Sequence, residues 1–351
     1  MSVREIAKRA GVSITTVSRV LNNHPSVSET VRESVLAAAN DARYVAPVSR
    51  RSTTNIAFVY TGPSSLGSSF DAALMAGMND GLEEFGCDLM ILDVVRSRNP
   101  GETFSQMFMR KGVRGAMLRT TEQTRKLCET IGSENFPVLA VADRFDNPAI
   151  SFIHSDSRNV SRDGIEHLLA LGHKRIAISL NVVDDHDHQD RLDGYKEALT
   201  AAGIEVDRRL ILRVPANREG GPQAMRRIMT MVDRPTALFA TDPMVAAGAL
   251  GEARVMQVKV PADLSIIGFD DAEARYGTFP PLTAVCQDAR RLGREAVASL
   301  FYLIEGQGTV APVRRSLRTW LEIHGSTGPA PAPSTAGTAG GEVAIAGSEQ
   351  G

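Results

Sequence analysis

The sequence is poor in cysteine, in aromatic residues and in long apolar runs. Its three cysteines, Cys87, Cys128 and Cys286, are far apart along the chain and show neither a disulfide framework nor a zinc motif. They are typical of reduced thiols in the cytoplasm. No apolar run approaches membrane-spanning length, and the chain begins with MSVREIAKRA rather than an apolar signal core. We therefore expect a soluble, cytoplasmic protein that contacts no membrane.

A strong overall charge is also missing, since the net charge of the 351 residues is −2. The distribution is uneven, however. Residues 1–54 carry eight Lys and Arg and four Asp and Glu, a net charge of +4, so the remainder carries −6. A small basic segment on an acidic body predicts a polyanionic partner for that segment alone.

Three short helical patterns make up this basic segment. Gly11 separates the first from the second, Ser13 is positioned to cap the second, and Ser28 is positioned to cap the third. The residues expected to face inward recur at helical spacing: Val3, Ile6, Ala7 and Ala10, then Val17, Val20 and Leu21, then Val31, Val35, Leu36 and Ala39. Helix, glycine turn, helix and third helix together predict a helix-turn-helix head.

The second helix is rich in Ser, Thr and β-branched residues, which are mediocre helix formers. Ile14, Thr15, Ser18 and Arg19 fall on the face opposite its apolar residues. Short hydroxyl side chains allow close approach to DNA, and Arg19 can bond guanine bidentately. The pattern therefore favours a recognition helix in the major groove. The alternative is a plain capped helix in an unrelated bundle.

From Asn55 onward, strand-length apolar runs alternate with amphipathic helices, which predicts an α/β body of two tandem parallel-sheet units. Ligands of such units bind at the carboxyl ends of strands, where the units face each other. Polar or aromatic residues at those positions are candidates to hold vicinal hydroxyl groups. They are Phe70, Asp71, Arg144, Asp156, Arg191, Asp242 and Asp270. Each of the charged candidates has the alternative role of a helix cap or an inter-lobe salt bridge.

Two other polar clusters invite more specific interpretations. The segment DDHDHQD, residues 184–190, resembles a metal cluster but is more typical of a solvated loop, with His186 or His188 close enough to touch a ligand. His154, Ser155 and Asp156 cannot form a catalytic relay, because neighbours in a strand point to opposite faces. No phosphate-binding glycine loop or nucleophile elbow is present. We predict no cofactor, no metal and no catalytic residue.

The DNA-binding head of the lactose-repressor/galactose-repressor (LacI/GalR) family is similar to residues 3–47, VREIAKRAGVSITTVSRVLNNHPSVSETVRESVLAAANDARYVAP. The body segments PVLAVADR, GIEHLLALGHKRIAI, DRLDGYKEAL, LFATDPMVAAGAL, LSIIGFDD and PPLTAVCQD occur in that family's order, so the resemblance covers about residues 1–326. It implies a two-lobed, periplasmic-binding-protein-like body that binds a small effector between its lobes and dimerises on DNA.

The resemblance also implies residue roles. The family's base-reading positions correspond to Ile14, Thr15 and Arg19, and its effector clamp to Arg191 and Asp270. Thr241 stands where sugar-binding members often carry Asn. The positions that contact phosphate through hydroxyl or amide groups correspond to Ser2, Ser13, Thr16, Ser18, Asn22 and Ser28.

The linker departs from the family pattern. Family members usually carry a hinge helix there, with a leucine that wedges into the minor groove. Here the linker is several residues short, and no leucine occurs between Leu36 and Leu66. Pro47 and Val48 are poor substitutes. We expect Arg50 and Arg51 to contact phosphates or a narrow minor groove instead.

The expected organisation is a helix-turn-helix domain at 1–46, a short linker at 47–54, an effector-binding and dimerisation domain at 55–326, and a disordered tail at 327–351. Within the body, the N-lobe is expected at 55–156 and 287–308, and the C-lobe at 157–286 and 309–326. The expected function is a homodimeric, sequence-specific repressor that binds a pseudo-palindromic operator under control of a small carbohydrate-like effector. The alternatives are an α/β enzyme with a DNA-binding head, or a solute-binding protein.

Overall fold

The computed structural model describes residues 3–21, 26–41, 53–271 and 273–332. The helices are α1 Val3–Ala10, α2 Ile14–Leu21, α3 Glu29–Asp41, α4 Ser69–Glu83, α5 Val94–Ser97, α6 Phe104–Arg110, α7 Arg125–Ser133, α8 Ser157–Ala170, α9 His186–Ala201, α10 Gly220–Met229, α11 Pro243–Val255 and α12 Ala289–Gly306. The strands are β1 Asn55–Tyr60, β2 Asp88–Asp93, β3 Val113–Arg119, β4 Val138–Val141, β5 Phe152–Ser155, β6 Ile176–Asn181, β7 Ile211–Val214, β8 Ala237–Ala240, β9 Ser265–Asp270, β10 Thr283–Cys286, β11 Arg314–Leu317 and β12 Trp320–Glu322. None of the described helices is long and apolar enough to cross a bilayer.

Helices α1 to α3 form the predicted helix-turn-helix head around a small core of their own. Ile6 of α1, Val17 and Val20 of α2 and Val35 of α3 are buried together. Gly11 ends α1 with a φ of 66°, a left-handed conformation that glycine adopts without strain. The prediction of an all-α head is confirmed.

The body consists of two lobes, each built on one six-stranded sheet. The first sheet has the order β11-β5-β4-β3-β1-β2 and is parallel throughout. The second has the order β12-β10-β9-β8-β6-β7, in which only β12 runs antiparallel to its neighbour. Central strands such as β8 and β9 are buried along their whole length, because helices cover both faces of the sheet. The predicted two-lobed α/β body is confirmed.

The chain passes between the lobes three times within residues 53–332: between β5 and α8, between β10 and α12, and between β11 and β12. This corrects one predicted boundary. Residues 309–326 were expected to belong to the C-lobe, with residues 314–326 as one final strand. Instead β11 pairs with β5 of the first sheet, and only β12 joins the second. Periodicity alone could not separate the two strands, since only two residues lie between them.

The first lobe is closed by α12 packing against α4 at unusually short range. A Cβ atom on Gly77 of α4 would lie 1.8 Å from the carbonyl oxygen of Arg290, and one on Gly293 of α12 would lie 2.1 Å from that of Leu74. Both distances are far below a possible contact, so the two backbones can meet only where side chains are absent.

The start of the predicted tail is ordered. Residues 327–332 were expected to be disordered because of their Gly, Ala and Pro content, but they dock on the second lobe. The Gly328 carbonyl oxygen lies 3.0 Å from Nε2 of buried His173, and the Ala330 amide donates to the carbonyl of Leu171 at 2.8 Å. Thr327 lies within hydrogen-bond distance of His167 and of Thr283. The hydrogen-bond partners lie far away in sequence, which composition cannot reveal. Residues 333–351 lie outside the described chain.

Truncation after Ser326 should therefore destabilise the protein. It removes the hydrogen bonds that Gly328 makes with His173 and Ser265 in the second lobe, and each lost bond costs about 0.5–1.5 kcal/mol. The two side chains stay within hydrogen-bond distance of each other, so neither is left without a partner. Thermal denaturation should show a melting temperature several degrees lower. Truncation after Ala332 is the matched control and should leave it unchanged. Equal melting temperatures for the two truncations would contradict a stabilising role for residues 327–332.

Candidate functional site

The exposed face of α2 carries the predicted recognition residues. Ile14, Thr15, Ser18 and Arg19 are exposed, with Ile14 at 49%, whereas Val17 on the opposite face is fully buried. The Ser13 hydroxyl caps the helix by accepting from the Thr16 amide at 3.0 Å, and the two hydroxyl groups are 2.8 Å apart. The local hydrogen bonds of Ser13 and Thr16 thus fix where α2 begins and which face it presents.

Of the other residues predicted to contact DNA, the structure describes only some. Ser28 is exposed just before α3. Ser2, Asn22, Arg50 and Arg51 lie outside the described residues, as does the linker from 47 to 52. Their DNA contacts stay predictions.

A second site lies in the cleft between the lobes, at the carboxyl ends of the strands. On the side of the first lobe, fully buried Asp71 accepts from the Tyr60 hydroxyl at 2.7 Å and from Nε of Arg119 at 3.2 Å. The guanidinium of Arg119 lies 5.2 Å from the ring centroid of Phe70. Burial raises the pKa of Tyr60 well above its ordinary value, so the phenol stays a donor. The predicted residues Phe70 and Asp71 therefore meet in one cluster with Arg119.

The segment before Arg191 supplies the facing side. Asp185 caps α9 by accepting from the His188 amide and lies 2.8 Å from Nδ1 of the His188 ring. Although burial lowers the pKa of Arg119, the charges of Asp71, Asp185 and Asp187 raise it well above its ordinary value. The charges of these second-lobe carboxylates therefore raise the pKa of a guanidinium of the first lobe.

Arg191 is the central cation of the second lobe's side. It is 6% exposed, lies 3.7 Å over the ring of Phe269, and donates from Nη1 to the carbonyl of Thr241 at 2.7 Å. Its Nη2 is 3.9 Å from Oδ2 of Asp187, which is longer than a hydrogen bond. Arg191 Nε and Asp187 Oδ1 are both buried and have no hydrogen-bond partner among the described residues.

Two adjacent carboxylates at the end of β9, Asp270 and Asp271, accept hydrogen bonds from different residues. Asp270 accepts from the amide and from Nη1 of Arg275, the latter at 2.7 Å. Asp271 instead accepts from the Gln287 side chain at 2.6 Å and feels the charge of Arg191. Burial raises the pKa of Asp271 to about 7, and it also raises the pKa of Asp187 above its ordinary value. Asp271, which follows β9 and was not predicted, is thus a carboxyl whose pKa the charge of Arg191 lowers against the larger effect of burial.

Three other predicted effector residues make local contacts. Asp242 caps α11 by accepting from the amides of Met244 and Val245, and Thr241 is fully buried with its hydroxyl donating to the Ser179 carbonyl at 2.6 Å. Asp156 precedes α8 and accepts from the side chain of Asn159. Each has the alternative role of a local structural residue. Their roles toward an effector stay predictions.

Arg144 joins the two lobes directly. It donates to Asp190 of α9 from Nη2 at 2.8 Å and from Nε at 3.3 Å, and Asp190 is almost fully buried. Nearby, the Glu122 amide of the first lobe donates to the Asp184 carbonyl of the second at 3.0 Å. Residues 184–190 are therefore an inter-lobe contact. No group of side chains in the described ranges could hold a metal ion.

Sequence reasoning missed Arg119, Asp187, Asp190 and Asp271. Arg119 ends a strand in the same way as the residues that were predicted, so the same rule would have found it. The acidic residues of 184–190 were interpreted as a solvated loop, because only the fold shows that α9 begins within that segment and faces the other lobe.

Protein-family models match both the head and the body of the chain. Residues 2–46 match the family model described as bacterial regulatory proteins, lacI family, and residues 165–327 match a periplasmic binding protein-like domain. The HTH-type transcriptional repressor CytR of Escherichia coli is 30% identical over 329 residues, 93% of this chain and 96% of that protein.

The chain belongs to the LacI family.

The chain is also similar in sequence and structure to other transcriptional regulators. The HTH-type transcriptional regulator DegA of Bacillus subtilis is 29% identical over 84% of this chain and 88% of that protein. Among solved structures, a transcriptional regulator CelR-cellobiose complex is 28% identical with a TM-score of 0.66, and the lac repressor dimer bound to operator and the anti-inducer ONPF is 25% identical with the same TM-score. Each alignment covers 93% of this chain and 99% of the other. This LacI-family chain is therefore a transcriptional regulator with a DNA-binding head and a ligand-binding body, in a family of regulators rather than enzymes.

Proposed function

We propose that the protein is a homodimeric repressor whose affinity for a pseudo-palindromic operator is set by a small polar effector bound between the lobes. The observation that carries the proposal is the exposed face of α2, where Ile14, Thr15, Ser18 and Arg19 stand over a buried Val17. A two-fold dimer presents two such faces, which favours an operator with two inverted half-sites. A regulator of this kind acts in the cytoplasm, where the chromosome lies.

The cleft supports a sugar or sugar derivative as the effector. Buried carboxylates and guanidinium groups that retain unpaired acceptors and donors suit vicinal hydroxyl groups, which both donate and accept. A solved relative binds cellobiose according to its title. An effector that closes or reorients the lobes changes the spacing of the two heads, with a coupling of about 1–3 kcal/mol.

The proposal is tested by selecting duplexes from a random pool and measuring binding with and without sugars, sugar acids and nucleosides. We expect an inverted-repeat operator and at least one compound that both raises the melting temperature and changes operator affinity. Recovery of no sequence preference would refute the proposed function.

Arg19→Ala should weaken binding to the selected operator by about 1–3 kcal/mol while hardly changing binding to random DNA, if Arg19 reads a guanine edge. Arg4→Ala is the control, because it removes the same charge from exposed α1. Its effect should be similar on both duplexes. A competition assay at fixed salt measures the ratio of operator affinity to random-DNA affinity. If Arg19→Ala leaves this ratio unchanged, α2 is not the recognition helix.

A further inference from the structure

A hydrogen bond joins the helix-turn-helix head to the first lobe. Nε2 of Gln106 in α6 donates to the carbonyl oxygen of Leu36 in α3 at 3.2 Å. Both residues are half-buried, and the Leu36 side chain packs against the core of the head. The contact therefore connects a helix of the body with a helix that belongs to the folded interior of the head.

The side chain of Gln106 has a fixed orientation because it also completes the start of α6. Its Oε1 accepts from the Thr103 amide at 3.0 Å, and the Thr103 hydroxyl accepts from the Gln106 amide at 3.2 Å, which together form a capping box. The Thr103 amide needs an acceptor, so the amide oxygen of Gln106 must face it. The NH2 group of Gln106 must then point away from α6, toward the Leu36 carbonyl.

Helix α6 is itself held firmly in the first lobe. The Glu134 carboxylate, which follows α7, accepts from the backbone amides of Phe104 and Ser105, and Phe104 and Phe108 are buried in the core of the lobe. The helix leads directly into β3, an inner strand of the sheet whose last residue, Arg119, lies in the cleft. The helix that meets the head is therefore continuous with a strand that reaches the cleft.

The contact with α6 leaves the recognition face of the head accessible. Ile14, Thr15, Ser18 and Arg19 of α2 are exposed while α3 lies against α6. The short linker at 47–54 also favours the contact, because a short tether raises the effective concentration of α3 at α6. A head that is already oriented loses less freedom on binding DNA than a head that tumbles on its tether.

We propose that α3 of the head docks on α6 of the first lobe in the DNA-free protein, that Gln106 positions it there, and that the docked head moves with the first lobe as one body and binds the operator in this arrangement. The proposed function requires an exposed α2 but no contact between head and body, so the docking goes beyond it. Only the statement about the operator rests on that function.

The docking is tested without DNA, by electron paramagnetic resonance of the full-length protein. A nitroxide is attached to Ser34→Cys on the exposed surface of α3, with Cys87→Ser removing the one cysteine that is not buried. We expect a spectrum dominated by slow motion. Gln106→Glu should at least double the mobile fraction, because its carboxylate still accepts from the Thr103 amide but cannot donate to the Leu36 carbonyl. A mostly mobile parent, or no gain in Gln106→Glu, would each overturn the proposal.

Two further variants separate docking from charge and from stability. Gln223→Glu on the exposed surface of α10 adds the same charge far from α6 in sequence and should leave the spectrum unchanged. Gln106→Met is neutral and of similar length, and it should raise the mobile fraction as Gln106→Glu does. It also decides the question if Gln106→Glu does not fold. Gained mobility in Gln106→Glu alone would indicate repulsion by the new charge and would overturn the role of the hydrogen bond.

Operator binding tests the last part of the proposal. On the operator selected from the random pool, Gln106→Glu and Gln106→Met should bind about two- to tenfold more weakly than the parent, as expected for one lost hydrogen bond, whereas Gln223→Glu should bind equally well. Equal or tighter binding of both Gln106 variants would show that the docked head is not the one that binds the operator. A parent without sequence preference would refute the proposed function and leave the docking intact, whereas a mobile head that keeps its sequence preference would do the reverse.

Discussion

Gly77→Ala is expected to destabilise the protein by about 3 kcal/mol or more. The new methyl carbon would lie 1.8 Å from the carbonyl oxygen of Arg290, so α4 and α12 must separate. Overpacking a core costs about 1–3 kcal/mol when side chains can yield, and here the obstacle is backbone. The gain of about 0.5–1 kcal/mol from alanine in a helix offsets little of this. Chemical denaturation of the purified variants measures the difference.

Gly251→Ala is the matched control. Gly251 lies within α11, is exposed, and has no atom within 4 Å of an added Cβ. The same substitution should therefore stabilise this helix by about 0.5–1 kcal/mol. A neutral Gly77→Ala would show that α4 and α12 are not in close backbone contact.

The second large effect is expected at the contact between the lobes. Arg144→Ala leaves the buried carboxylate of Asp190 without its two hydrogen bonds, and loss of one partner from a buried pair costs about 3–5 kcal/mol. Arg144 is itself 36% exposed, so we expect about 2–3 kcal/mol after screening by solvent. The Arg144→Ala/Asp190→Ala double variant should lose less than the sum of the single variants.

The pair formed by Arg158 and Glu197 serves as the control. It has the same chemistry, but both side chains are about 40% exposed and both lie in the second lobe. Its coupling energy should stay below about 1 kcal/mol. Small-angle scattering should also show a larger radius of gyration for Arg144→Ala only. Equal coupling energies for the two pairs would contradict the assignment of Arg144 to the inter-lobe contact.

The predictable part of this protein is what local pattern determines. Helical spacing located Val17 and Val20 in the core of the head, and strand-length apolar runs located both sheets. The rule that ligands bind after strands led to Asp71 and Arg191. Which partner each residue meets depends on contacts distant in sequence, so the pairing of Asp270 with Arg275 and the docking of residues 327–332 could not be predicted.

The three passages of the chain between the lobes have a consequence for biosynthesis. Strand β1 leaves the ribosome early, but α12 and β11, which complete the first lobe, follow only after nearly all of the second lobe has been made. The second lobe in turn waits for β12 and residues 327–330. The head, with a core of its own in the first 39 residues, is finished long before either. A nascent or prematurely terminated chain therefore carries a complete DNA-binding head on an open body until residues 289–330, which complete both lobes, have been made.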